Sequence, residues 1–222
     1  MLTENLLGNF LEMVRALDRP RVLEIGTKRI KSQPSTIRKD WVPNAGEYIG
    51  TDAEPGVDVD VVSDVHSLSS TFGENQFDVI ISCSVYEHIR YPWIATVEIA
   101  RVLRLGGLVF IHTHNAYPLH GYPHDYWRYT TDSLEALFSA VAGFRCLGTQ
   151  YEFPCKIVSD REPSAAEAPA YLNVLVLAQK VAHPSQQVTY YRQTQRMNVL
   201  SVLLRQLKLG SLAKSVGGLA PG

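Results

Sequence analysis

Residues able to do proton chemistry crowd into one stretch, "HTHNAYPLHGYPHDYWRYT", running from His112 to Thr130. It combines His112, His114, His120 and His124 with Asp125, Arg128 and the aromatic residues Tyr122, Tyr126 and Trp127. Imidazole titrates near neutrality, so His114, His120 or His124 can take a proton from a substrate group, with Asp125 orienting one of them or acting alone. Asp125 and Arg128 can also meet a polar substrate directly through charge-assisted hydrogen bonds. The alternation His112-Thr113-His114 allows a second chemistry: two imidazoles on one face of a strand, completed by Asp125, could hold a divalent cation. A histidine inside a strand is more often packed and hydrogen-bonded, so the expectation is a site without metal. From His120 onward, with Gly121 and Pro123 setting turns, the segment reads as a lid that packs on the domain, meets a substrate, or does both.

The elements that must position these groups alternate along the chain. Leu6, Leu7, Phe10, Leu11, Val14 and Leu17 recur at helical spacing, with Thr3 as N-cap, which predicts a helix within residues 1–20. Apolar runs at "RVLEIG", "EYIGTD", "VDVVSDV", "FDVIISCS" and "LVFIHTH" predict five strands. Between them lie a brief helical candidate near Ser35 to Trp41 and a longer one from Trp93 to Gly107, stopped by Gly106-Gly107. A helix from about Ser133 to Val141, capped by Thr131 or Asp132, follows the lid. "FRCLGTQYEF" and "YLNVLVLAQK" are two more strands, joined without a helix and therefore antiparallel. This is an α/β pattern: a doubly wound, mostly parallel seven-stranded sheet closed by an antiparallel hairpin. The domain spans 21–182, and 183–222 is a polar linker and a basic amphipathic helix with Val199, Leu203 and Leu207 beside Arg205, Lys208 and Lys214. That helix suits packing, self-association or peripheral contact with an anionic membrane face.

Composition narrows the partners. Lys+Arg 21 against Asp+Glu 22 leaves a formal charge of −1, which gives no electrostatic footprint for nucleic acid. Three scattered cysteines without a C-x-x-C pair argue against a disulfide or structural zinc scaffold and suit a reducing, cytoplasmic compartment. No signal peptide and no apolar run of membrane-spanning length is evident, so membrane contact would be peripheral.

In an open parallel sheet, ligands collect at the carboxyl ends of the strands. Those ends are Glu24-Ile25-Gly26-Thr27, Asp52, Asp64, Cys83-Ser84, and His112 to Asn115. A glycine lets a ligand approach the backbone, an acid after the second strand can take both hydroxyls of a ribose, and an acid after the third can accept from an exocyclic amine. Together they outline an adenosine site. The segments "VLEIGT", "YIGTD", "VVSDVHSL" and "FDVIISCSVYEHI…W…EIARVLRLGGLVFIHT" resemble the class I S-adenosylmethionine-dependent methyltransferases over roughly Arg21 to Phe138.

That resemblance implies a methyltransferase that uses S-adenosyl-L-methionine and acts on a small-molecule or carbohydrate-containing acceptor, more readily at a hydroxyl. It places Glu24, Gly26, Thr27 and Cys83 around the methionine end of the cofactor, Asp52 on its ribose, and Asp64 with Val65 at its adenine. His114, His120, His124 and Asp125 become candidate catalytic groups. His88, Tyr122, Tyr126, Trp127 and Arg128 become candidate acceptor contacts. Cys83 also reads as a buried structural thiol, and His88 as a helix cap. The first loop departs from the family: "GTKRIKSQPST" puts Lys28 and Arg29 where further glycines are expected. The loop is either reshaped with its backbone N–H groups intact or has lost the cofactor, which would leave a non-catalytic binding or scaffolding protein. A nicotinamide-binding G-x-G-x-x-G is absent.

Overall fold

The computed structural model describes residues 5–29, 34–121, 124–158, 161 and 169–185. Their elements are α1 (Leu6–Arg15), β1 (Arg21–Ile25), β2 (Glu47–Asp52), β3 (Val61–Val62), α2 (Leu68–Phe72), β4 (Phe77–Cys83), α3 (Pro92–Val102), β5 (Leu103–His114), α4 (Thr131–Leu137), β6 (Phe144–Cys155) and β7 (Ala170–Lys180). Single 3-10 turns at Lys39–Trp41, Val65–Ser67, Tyr86–His88 and Ala140–Ala142 complete the list.

The strands form one sheet in the order β3-β2-β1-β4-β5-β7-β6, parallel except for β7, which runs antiparallel to β5 and β6. The expected seven-stranded sheet with a closing antiparallel hairpin is therefore present. Strand order reverses between β1 and β4, so the crevice beyond their carboxyl ends is where such folds bind ligands. Alternate residues of the buried strands feed two cores. Leu23, Ile80, Val109 and Val176 face α2, α3 and α4, whereas Val22, Ile81, Phe110 and Leu177 face α1. Phe10 of α1 stacks on Phe110 at 4.8 Å, and Trp41 meets Phe110 edge-on at 5.7 Å. The β1-to-β2 crossover contains only the Lys39–Trp41 turn as helix among its described residues, so α1 and Trp41 cover the face that a crossover helix would otherwise cover.

Four boundaries differ from expectation, each for a local reason. Asn5, not Thr3, caps α1, its side chain accepting from the Gly8 N–H; Thr3 lies outside the described residues. The third strand shrinks to two residues because Asp58 adopts φ 69° and the Asp60 carboxylate turns back to accept the Gly50 N–H. The glycine pair does not end α3. That helix stops at Val102, where the Arg101 and Val102 carbonyls accept from the Asn75 and Gln76 N–H groups and Leu103 pairs with Phe77, so β5 begins early and passes through Gly106 and Gly107. α4 starts at Thr131 under a capping box in which Thr130 and Ser133 exchange side-chain and backbone bonds, and it ends at Leu137. Among the described residues no helix is long and apolar enough to cross a membrane. The basic amphipathic segment after Ser185 lies outside the described residues.

Candidate active site

Parallel register brings Ile25 beside both Thr51 and Ser82, Asp52 beside Val62, and Cys83 beside His112, so all the expected strand ends open on one edge of the sheet. Gly26 sits at φ 85°, and a Cβ there would lie 2.1 Å from Cγ2 of Val85 in the loop after β4. Only glycine permits this turn and this approach. The Gly26 and Thr27 N–H groups both bond the Thr51 carbonyl. Lys28 keeps the donor role of the missing glycines: its N–H reaches Asp52 Oδ2 at 3.1 Å while Glu54 N–H reaches Oδ1 at 3.2 Å. Its side chain folds away over Gly56 to pair with Glu54. Asp52 is thereby held rigidly, with one lone pair on each oxygen still free.

Asp64 caps the turn that follows β3. It accepts from His66 N–H at 2.9 Å and holds His66 Nδ1 at 2.7 Å, and these bonds keep its carboxyl below the usual range even though partial burial pushes the other way. Val65, half-buried, packs on the larger core. Glu24 is buried at the end of β1 and uses one oxygen to accept from Arg38 N–H at 2.8 Å and Tyr48 O–H at 2.6 Å. Burial pushes its pKa up despite those bonds. Cys83 is packed among apolar groups, and burial pushes its thiol up to about 12, as suits a structural cysteine.

The acceptor side is organised by a residue to which the sequence reading gave no role. Glu87, wholly buried in the 3-10 turn after β4, accepts from Thr113 Oγ1 on Oε2 at 2.7 Å. Its Oε1 lies 3.0 Å from His114 Nε2, 3.8 Å from His88 Nε2 and 3.9 Å from His120 Nε2. Its carbonyl accepts from the Tyr126 and Trp127 N–H groups, fastening the lid to the strand end. The available signal was an acid between Tyr86 and His88 in the short loop after a buried strand. Burial alone would raise the Glu87 pKa, but the close charge of His114 and the Thr113 hydrogen bond hold it below the ordinary range. For His114 burial opposes the charged form, and Glu87 with Asn173 outweighs it, so the imidazolium is favoured.

His114 is held on both edges of its ring and one face. Its Nδ1 is 2.8 Å from Asn173 Oδ1, and its ring stacks on Tyr117 at 3.9 Å. His112 instead turns Nε2 to Asn173 Nδ2 at 3.1 Å and Glu152 at 3.4 Å, and burial pushes its pKa down to about 4. His112, His114 and Asp125 therefore do not converge. Among the described residues the groups whose ligand atoms do converge are Glu87, His114 and His120, and His88, His120 and Asp125.

In the lid, Arg128 grips Asp125 with a two-pronged fork, Nη2 to Oδ2 measuring 2.7 Å, and also donates to the Tyr117 and Pro118 carbonyls. The guanidinium holds the Asp125 carboxyl well below the usual carboxylate range. Asp125 accepts in addition from His120 N–H at 3.0 Å and stands 3.5 Å from His120 Nδ1. His120 keeps 29% of its side chain exposed against 7% for His114. His124 contributes its carbonyl, which accepts from His88 Nδ1, while its ring leans on Tyr126 at 5.2 Å. Tyr126 and Trp127 stay 39% and 38% exposed, Trp127 resting edge-on against Trp93. Tyr122 lies outside the described residues.

Residues 35–111 match a sequence profile of the methyltransferase domain family. No curated protein matches the sequence. Among solved structures the fold is similar to the YcgJ protein of Bacillus subtilis, with TM-score 0.57 and 18% identity over 79% of this chain and 97% of that one. It is similar also to an S-adenosylmethionine-dependent methyltransferase of Archaeoglobus fulgidus, with TM-score 0.56 and 17% identity over 78% and 91% of the two chains. A third is the Burkholderia thailandensis 1,6-didemethyltoxoflavin-N1-methyltransferase, solved with S-adenosylhomocysteine, with TM-score 0.53 and 16% identity over 80% and 79%. Residues 35–111 thus carry the match to the methyltransferase domain family, and the fold as a whole is the one found in these S-adenosylmethionine-dependent methyltransferases. The donor set suits S-adenosylmethionine: a clamped, half-exposed acid ends β2, and Thr27 Oγ1 and Ser82 Oγ are buried without hydrogen-bond partners at the ends of β1 and β4.

Proposed function

We propose that the chain is an S-adenosylmethionine-dependent methyltransferase and not a non-catalytic scaffold, and that the methyl group goes to a hydroxyl of a small or glycan-linked acceptor held under the lid. The observation that supports this is the ring of histidines around Glu87 at the carboxyl end of β5, roofed by Asp125, Tyr126, Trp127 and Arg128. A hydroxyl acceptor needs a proton acceptor beside it, whereas a carbon or nitrogen acceptor needs none of this strength. The half-exposed faces of Tyr126 and Trp127 next to an Asp-Arg fork suit a ligand with apolar C–H faces and many hydroxyls, as a sugar has.

When bound, S-adenosylmethionine supplies a methyl group made electrophilic by its sulfonium. Asp52 would hold the ribose, Asp64 and Val65 would flank the adenine, and Gly26, Thr27 and Cys83 would border the methionine end. Glu24, committed to Arg38 and Tyr48, would shape that end through the crossover and not by direct contact. On the acceptor side His120 is the exposed member of the cluster and receives the hydroxyl proton as the oxygen bonds to the methyl carbon. Asp125, already neutralised by Arg128, orients His120 and is a weak base itself. His114 and Glu87 set the charge behind it, and His88 and His124 brace the lid.

His120→Ala tests the reading. Turnover at saturating cofactor should fall by about a hundredfold or more, with cofactor affinity by calorimetry unchanged. Wild-type turnover would remove the lid from the chemistry.

A further inference from the structure

We infer that Glu87, His114 and His120 form a binding site for one divalent transition-metal ion, with His88 at its rim. The three residues come from the turn after β4, the end of β5 and the lid, and each offers one ligand atom within 4.8 Å of the others. Ligands bound to one such ion at roughly 2.0–2.2 Å lie about 3 to 4 Å apart. His114 Nε2 and His120 Nε2 stand 3.0 and 3.9 Å from Glu87 Oε1.

Two further observations set this cluster apart from a plain ion pair. Glu87 Oε1 is fully buried and accepts no aligned hydrogen bond, although Oε2 is satisfied by Thr113. The 3.0 Å approach of His114 Nε2 therefore leaves Oε1 without an aligned N–H, which is compatible with the two atoms being neighbouring ligands of one ion. The outer nitrogens are also held from behind. His114 Nδ1 faces Asn173 Oδ1 at 2.8 Å, His120 Nδ1 faces the Pro118 carbonyl at 3.1 Å, and His88 Nδ1 faces the His124 carbonyl. Once a metal displaces the Nε2 proton, oxygen acceptors at Nδ1 would keep the proton on that nitrogen in all three rings and leave the Nε2 lone pair toward Oε1, which is the support metal-bound histidines receive. Asn173 is itself oriented by His112.

Two imidazoles and one carboxylate favour zinc, cobalt, iron or nickel over magnesium or calcium, which prefer oxygen alone. Three protein ligands leave positions open on the His120 side, where the lid would present an acceptor oxygen. With the ion bound, an acceptor hydroxyl at an open position would release its proton to water and His120 would serve as a ligand; without the ion His120 is the base described above. The inference shares the acceptor side of the reading above, but metal binding can be read with no cofactor or acceptor present, so the two can fail separately.

The full chain, stripped with chelator, is titrated with Co²⁺ and followed by its visible absorption. The expected result is one equivalent bound with d–d bands, weakened by at least about tenfold in His120→Ala and unchanged in His183→Ala. Glu87→Gln should abolish binding, and because that residue is buried the exposed His120 variant keeps the test decisive if Glu87→Gln fails to fold. Absence of binding up to about 1 mM Co²⁺ overturns the inference, as does an affinity that His120→Ala leaves unchanged.

Discussion

Two buried glutamates divide the molecule. Glu24 ends β1 on the cofactor side, and Glu87 follows β4 on the acceptor side; their exposures are 4% and 0%. Desolvation acts on both, yet the outcomes are opposite. Glu24 meets a backbone N–H and a phenol, so its charge is poorly compensated and its pKa rises. Glu87 meets a histidine that shares its fate, and both settle as ions. The cofactor side is thus built from backbone geometry and neutral bonds, and the acceptor side from charged side chains drawn together across the fold. Burial alone does not decide the charge of a carboxylate; its partners do.

If the cofactor side rests on backbone geometry, the largest effect should come from Gly26→Ala. A methyl group at φ 85° and 2.1 Å from Val85 must move the loop after β4. A loss of about 3 kcal/mol in urea denaturation is expected, from backbone strain and overpacking together. A stable variant would show that the two loops are not packed as described. Asp52→Ala comes next. It removes a carboxylate at the sheet edge without touching the histidine cluster, so S-adenosylmethionine affinity should fall by about ten- to a hundredfold with the fold intact. Unchanged affinity by calorimetry would refute the ribose assignment and blur the division between the two sides.

The same division explains what was legible in the sequence. Strand ends announce themselves, because an apolar run that stops at Gly26, Asp52 or Cys83 is a local pattern, and the parallel sheet then gathers those ends. The mostly parallel sheet and its final hairpin followed from run lengths and connectors. The site of the lid was legible too, from the density of its side chains. What could not be read was who meets whom. Thr113 and Glu87 are 26 residues apart, His88 and His124 are 36, and His114 and Asn173 are 59. No periodicity links them, so Glu87 went without a role, and His112 and His114 read as a metal pair with Asp125 although the fold joins both to Asn173 and sets His112 beside Glu152. Asp58 turning left-handed, and the Asn75 and Gln76 amides ending α3 early, are likewise tertiary choices that override propensity.

The smallest expected effect tests the comparison itself. Glu24→Gln preserves shape, and the amide oxygen can still accept from Arg38 and Tyr48. The folded pKa of Glu24 lies above its ordinary value of 4.5, so the stability it contributes is full below that value and is lost as pH rises through the folded pKa. Glutamine cannot ionise and escapes that loss. The variant should therefore gain on the wild type as pH is raised from about 4 to 7, by no more than about 1 kcal/mol in paired urea titrations. The opposite slope would mean that Arg38 compensates the Glu24 charge after all, as His114 does for Glu87, and that both sides of the crevice bury an ionised acid. Glu87 predicts the reverse sign: its lowered pKa contributes stability above the ordinary value that is lost as pH falls, so neutralising it should cost more at pH 7 than at pH 4.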